Sequence, residues 1–142
     1  MLAAALLALC VGCSSSSSNG QAICGPCPMP VTVTVSGLDQ VTAEGVRMHL
    51  CVGEMPCTSF RLTRRDETVS CGSVACSLDE TGSTRMLHLT LAQKDARKVA
   101  DLPVRVTAST RKEQRQGEAT MTYVHQGEPC GCNYSRADIA LM

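Results

Sequence analysis

The chain has 142 residues, 13 basic and 13 acidic, and a formal net charge of zero, so no long-range field draws it to nucleic acid or to anionic lipid. Two Tyr, one Phe and no Trp leave out the stacking platforms used by single-stranded nucleic acid binders. The length allows one domain with short accessory segments, and ten cysteines point to maturation in an oxidising compartment.

The chain begins "MLAAALLALCVGCSSSSSNG", apolar from Leu2 to Val11 and followed by Gly12, Cys13 and a run of serines. This apolar run is well short of the roughly 20 residues that span a hydrocarbon core, but it matches the apolar region of a signal peptide. A small residue before a cysteine, after a Leu/Ala run and before a Ser-rich stretch, resembles the lipobox of bacterial lipoprotein precursors. The resemblance implies a signal peptide over residues 1–12, cleavage before Cys13 and a diacylglycerol on its thiol. Residues 13–22 then form the lipidated terminus and a flexible polar tether. It also implies a place in the bacterial cell envelope, facing outside the cytoplasm, with the membrane as partner through the anchor. Cys10 is the rival site, but bulky Leu9 precedes it, and Cys10 itself stands where the family has Leu. No Lys or Arg precedes the apolar run, so the natural start is expected upstream of Met1.

"CGPC", residues 24–27, repeats the four letters of a thiol–disulfide exchange site. Such a site needs its first thiol at a helix N-terminus in a βαβ setting. Here Pro26, Pro28 and Pro30 oppose a helix, and a strand pattern follows, so the motif is read as structural.

From Pro30 the apolar residues alternate with polar ones, the period of half-buried strands. "PVTVTVS" sets Val31, Val33 and Val35 against Thr32 and Thr34; "GVRMHLCV" sets Val46, Met48, Leu50 and Val52 against Arg47, His49 and Cys51. "SFRLTR" turns Phe60 and Leu62 inward, and "RMLHLTL" does the same with Leu87, Leu89 and Leu91. "LPVRVTA", "EATMTYVH" and "ADIALM" continue the pattern, with turns expected at Gly37, Gly45, "TRRDE", "DETGS" and "RQGE". The best helical candidate, "AQKDARKVADL", is short and mostly polar. Seven or eight such strands predict an all-β fold: a small, disulfide-stabilised antiparallel β-sandwich over residues 23–142. It resembles immunoglobulin and fibronectin domains in architecture only.

Setting aside Cys10 with the signal and Cys13 with the lipid leaves Cys24, Cys27, Cys51, Cys57, Cys71, Cys76, Cys130 and Cys132, an even set suited to disulfides. Spacing favours local bridges Cys51–Cys57 and Cys71–Cys76, each worth about 2 kcal/mol in the loop-entropy model. Cys130 and Cys132 are too close for an easy bridge to each other, so both are expected to pair with Cys24 and Cys27, in an order the sequence leaves open. The alternative is a thiol-redox or Zn/Cu site formed by the same four cysteines in reduced form.

His49, His88 and His125 fall inside predicted strands without a metal-binding spacing, and no G-x-S-x-G nucleophile motif occurs. "CGS" at 71–73 could place a nucleophile near Cys71 or Ser73, but a turn closed by Cys76 accounts for it. The carboxylates are scattered, without a calcium-loop spacing. Arg111, Lys112 and Arg115 are read as a solvated hairpin tip that discourages edge pairing, with an acidic partner as the alternative. The candidate binding loop is Gly53, Glu54, Met55 and Pro56, closed by Cys51 and Cys57 and presenting Met55. The sequence is therefore expected to encode a non-enzymatic binding or structural module without a cofactor. Its expected partner is an envelope protein or peptide and not nucleic acid.

Overall fold

A computed structural model of the chain describes residues 24–39, 41, 44–127 and 129–142. The expected signal peptide, the lipidation site Cys13, its rival Cys10 and the Ser-rich tether lie outside the described residues. Ten strands are present: β1 Val31–Ser36, β2 Val46–Val52, β3 Thr58–Arg65, β4 Thr68–Ser70, β5 Ala75–Thr81, β6 Thr84–Thr90, β7 Pro103–Ser109, β8 Gln114–Thr120, β9 Thr122–His125 and β10 Asn133–Ala140. They form two five-stranded sheets, β5-β6-β1-β10-β9 and β4-β3-β2-β7-β8.

Each sheet turns its apolar rows inward. Val31, Val33 and Val35 of β1 meet Leu87 and Leu89 of β6, Ile139 of β10, Met48 of β2, Leu62 of β3 and Val104 and Val106 of β7 in one core. Phe60 is the one aromatic ring in that core. Packing therefore rests on branched and flexible aliphatic chains whose β-branched members favour the pleated backbone. Ser135 is the buried polar residue among them, and its hydroxyl donates to the carbonyl of Ala96 at 2.7 Å.

Lettered from β1 to β8 as B, C, C′, C″, D, E, F and G, the orders D-E-B and C″-C′-C-F-G are those of a variable immunoglobulin domain. The place beside B is taken by β10 from the far end of the chain, and it runs parallel to β1. All other pairings are antiparallel.

Four disulfides join Cys24 to Cys130, Cys27 to Cys132, Cys51 to Cys57 and Cys71 to Cys76. The order left open by the sequence follows from the parallel ladder. Val31 faces Ser135, and the Cys27–Cys132 and Cys24–Cys130 bridges extend that same-direction pairing beyond the strands.

Several local expectations are corrected. "EATMTYVH" is not one strand: the chain crosses between sheets at the buried Met121, whose N–H donates to the Leu102 carbonyl at 2.8 Å. "RQGE" is not a turn but part of β8. Gly117 is needed there because a Cβ would collide with the Ala140 carbonyl oxygen, where β8 crosses β10. Beside it, Gln116 and Met142 exchange backbone hydrogen bonds at 3.1 and 3.3 Å. The region of "AQKDARKVADL" contains only a single 3-10 turn, Ala96–Val99, capped by Asp95, which accepts from the Arg97 N–H at 3.0 Å. Strands β4 and β5 go beyond the sequence expectation; their exposed, weakly alternating residues carry little of the periodic signal.

Stability measurements can check both the crossing and the staples. Gly117→Ala is expected to cost about 2 kcal/mol in denaturant unfolding because backbone cannot yield to the new methyl, while Gly25→Ala, with nothing within 4 Å, stays within about 0.5 kcal/mol. The long bridges, spanning 106 and 105 residues, should be strongly non-additive. With one in place the other closes a ring of only about seven residues, so either serine-pair variant alone should cost about 2 kcal/mol and the quadruple variant about 7 kcal/mol.

Candidate functional site

The registers give the sandwich two unlike ends. β1 and β10 start together, β2 ends where β3 and β7 begin, and β6 ends beside the start of β1. Both long disulfides, the Cys51–Cys57 loop and the 3-10 turn therefore share one end, called here the stapled end. The opposite, open end carries the connections β1–β2, β3–β4, β5–β6 and β7–β8 without a disulfide, together with Leu141 and Met142.

A cleft of about 730 Å³ lies at the open end. Its walls include Arg47 on β2, Arg61 on β3, Glu44 and Gly45 before β2, and Arg111 and Lys112 at the tip of the β7–β8 hairpin. Arg47 and Arg61 are direct cross-strand neighbours on the outward face, an arrangement disfavoured by like-charge repulsion. Arg61 Nη1 donates to the Glu44 carbonyl at 2.8 Å. Gly45 has φ +81° and lies so close to β3 that a Cβ would meet the Leu62 carbonyl oxygen at 2.8 Å; glycine lets the loop fold in against the strand. Thr110 forms the hairpin tip: its N–H donates to the Glu113 carbonyl at 2.9 Å, and its hydroxyl oxygen accepts from the N–H groups of Lys112 and Glu113. Arg111 and Lys112 are thereby held on a closed turn and exposed.

A smaller cavity of about 210 Å³ adjoins the cleft, floored by Leu38, Val46, Ala108 and Leu141. Arg115 closes it, donating to Asp39 at 2.5 Å, to the Gly37 carbonyl at 3.1 Å and to Glu113 at 3.3 Å. The hydrogen bond to Asp39 is the main cause that raises the Arg115 pKa above its ordinary value, so this cation is committed to holding the β1–β2 loop against the hairpin. Carboxylates elsewhere pair with Arg64, Arg85 and Arg105. Among the described residues, none of Arg47, Arg61, Arg111 and Lys112 has a carboxylate within ion-pair distance.

The structure disperses the other residues singled out by sequence. Cys24, Cys27, Cys130 and Cys132, the alternative redox or metal set, are consumed in two separate bridges. Cys71 and Cys76 close a turn, with Val74 N–H donating to the Cys71 carbonyl at 3.1 Å, and Ser73 is exposed on it. The Gly53–Pro56 loop lies at the stapled end, and Met55 does not project from it: the side chain is half-buried against the core. His88 meets the Thr34 hydroxyl at 3.2 Å and His125 is bonded to Asn133. His49 Nδ1 meets Ser59 Oγ at 2.7 Å on the open strand face, with no carboxylate hydrogen-bonded to that histidine among the described residues. Ligand atoms of His49, Cys51 and Cys57 lie within 4.8 Å of one another, but both sulfurs are committed to a disulfide.

In the sequence, Arg47 and Arg61 look like ordinary outward strand residues. A signal is nonetheless present in the cysteines: pairing Cys51 with Cys57 across an antiparallel hairpin places 47 opposite 61. Comparison of the chain with protein families, curated proteins and solved structures returns no match. Fold and site together define a disulfide-stapled β-sandwich of variable-immunoglobulin strand order with a cationic cleft at its open end.

Near that end Glu80 of β5 bridges the two sheets, accepting from Arg64 of β3 at 2.5 Å and from Arg85 of β6 at 3.0 Å. The hydrogen bond from Arg64 is the leading cause holding its pKa below the ordinary 4.5. A depressed folded-state pKa means that the contribution to stability is present above the unfolded value and is lost as pH falls through the folded one. NMR titration should show Glu80 protonating below pH 4.5 in the native chain and moving back up in Arg64→Gln; an unchanged midpoint would show that the bridge is not formed in solution.

Proposed function

We propose that the protein is a lipid-anchored module of a bacterial envelope that binds an envelope protein or peptide through the loops of its open end, without catalysis. The observation that carries this reading is the polarity of the fold. The chain joins the domain through Cys24 at the stapled end, while the cleft lies at the opposite end. A tether at one end and a recess at the other suit presentation of a binding surface away from an anchoring membrane.

The compartment supports the same reading. Four disulfides fit an oxidising environment outside the cytoplasm, and no helix of the described residues is long and apolar enough to cross a membrane. The anchor itself rests on the lipobox-like sequence, in which Gly12 precedes Cys13 and a run of serines follows. Among the described residues the cleft is lined by Arg47, Arg61, Arg111 and Lys112 with Glu44, Ser109 and Thr110, and the Ser109 and Thr110 hydroxyls have no histidine or carboxylate hydrogen-bonded to them as a base, a lining that supports recognition. In variable immunoglobulin domains the corresponding β1–β2, β3–β4 and β7–β8 connections carry recognition; that likeness is one of architecture.

Metabolic labelling with a palmitate analogue in a bacterial host tests the anchor. The native chain should take up label and sediment with membranes, and Cys13→Ser should lose the label and appear in the soluble envelope fraction. Label retained in Cys13→Ser, or absent from the native chain, would sink the lipid-anchored reading.

A further inference from the structure

We infer that the open-end cleft is a docking site for an acidic polypeptide segment, its Asp or Glu carboxylates paired with Arg47, Arg61, Arg111 and Lys112. This deepens the binding-module reading and rests on it. Charge is the first support. The whole chain is neutral, yet these four cations border one recess while the described ion pairs engage Arg64, Arg85, Arg105 and Arg115. Glu44 is the carboxylate in the lining, and the contact it makes with Arg61 is through its backbone carbonyl.

Chemistry and geometry narrow the occupant. Three of the four cations are arginines, whose planar forks match carboxylates two bonds at a time. Arg47 and Arg61 lie on the sheet face, whereas Arg111 and Lys112 stand on the hairpin tip, so the positive charge is divided between two sites. A flexible chain with spaced carboxylates can reach both; a single compact anion meets one. Among the described residues no aromatic ring lines the cleft, which leaves nothing there on which a nucleobase or sugar ring could stack. On the lipid-anchored reading the anchoring membrane lies toward the stapled end, where Cys24 sits. A flexible acidic polypeptide is therefore favoured over a nucleotide, a single compact anion or the headgroups of that membrane.

The test uses the full chain, purified oxidised in neutral detergent, with fluorescein-labelled peptides read by anisotropy. One peptide alternates Glu and Ser, a second replaces each Glu by Gln, and inorganic polyphosphate serves as competitor and as a separate ligand. The Glu peptide should bind and the Gln peptide should not, with affinity falling as salt rises. Arg47→Gln/Arg61→Gln and Arg111→Gln/Lys112→Gln should each weaken binding about fivefold to tenfold. Lys94→Gln/Lys98→Gln, an equal change of charge at exposed sites by the stapled end, should stay within about twofold. Equal losses in all three variants would reduce the effect to general charge and overturn the site, as would no binding of the Glu peptide. Polyphosphate binding with the Glu peptide silent would overturn the polypeptide in favour of a phosphate-bearing ligand. A benzoylphenylalanine photocrosslinker at position 109, compared with one at position 54 in the envelope, separates this inference from the reading beneath it. Partner crosslinks confined to position 109, with no affinity for the Glu peptide, would leave the binding module standing and overturn its acidic ligand; no crosslink from either position, with no affinity, would overturn both.

Discussion

The parallel pairing of the first strand with the last organises this molecule. A parallel pair cannot be joined by a tight turn, and here the connection between β1 and β10 is the rest of the domain. Closing so long a loop is entropically costly, and the ladder alone, running from Val31–Ser135 to Ser36–Ala140, must hold it. The two long disulfides stand immediately before that ladder and continue its direction. They remove the closure cost from the folding equilibrium by imposing it on the unfolded chain as well. The second bridge adds less closure entropy than the first, but it fixes the register: Cys24 with Cys130 and Cys27 with Cys132 is compatible with the parallel ladder, and the crossed pairing would run against it.

From that constraint follows the unlikeness of the two ends. Where β1 and β10 start, the connections are held by covalent bonds and by half-buried side chains such as Met55 and Leu102. Where they finish, weaker forces act: Arg115 gathers Asp39, Glu113 and the Gly37 carbonyl, and Glu80 joins two arginines from different sheets. These contacts are exposed and individually worth little. The loops of the open end are consequently framed without being fixed, a condition that suits a surface adapting to a partner.

Much of this architecture is legible in the sequence because the inward rows of β1, β2, β6, β7 and β10 are nearly uninterrupted aliphatic alternations. The period of two survives in such rows whatever sheet they join. What the alternation does not encode is where a chain changes sheets. At Met121 the inward pattern continues across the boundary between β8 and β9, because a residue buried between two sheets satisfies both strands. Gly117 misleads for a related reason: a missing side chain marks either a turn or a close crossing, and only the tertiary structure distinguishes them. Edge strands β4 and β5 bury too little to imprint a pattern. The candidate site is less legible still. Arg111 and Lys112 stand out as a cluster, but Arg47 and Arg61 are separated in sequence and become neighbours only through the hairpin register.

That register also explains how the cleft can exist. Two arginines placed opposite each other cost the hairpin roughly 0.2–1 kcal/mol, and a sheet selected for stability alone would place a carboxylate at one of the positions, as β7 and β8 do with Arg105 and Glu118. The β2–β3 hairpin instead carries a disulfide between Cys51 and Cys57, worth about 2 kcal/mol by closing a short loop, and that bond fixes the alignment which brings the arginines together. The disulfide thus outweighs the repulsion between the two guanidinium groups and holds them opposite each other. The charge left uncompensated is therefore more than an accident of surface composition: it is carried on a register secured by a covalent bond at the far end of the same hairpin. A ligand supplying carboxylates to these arginines would relieve the repulsion on binding, so part of its affinity would come from repulsion already present in the free protein.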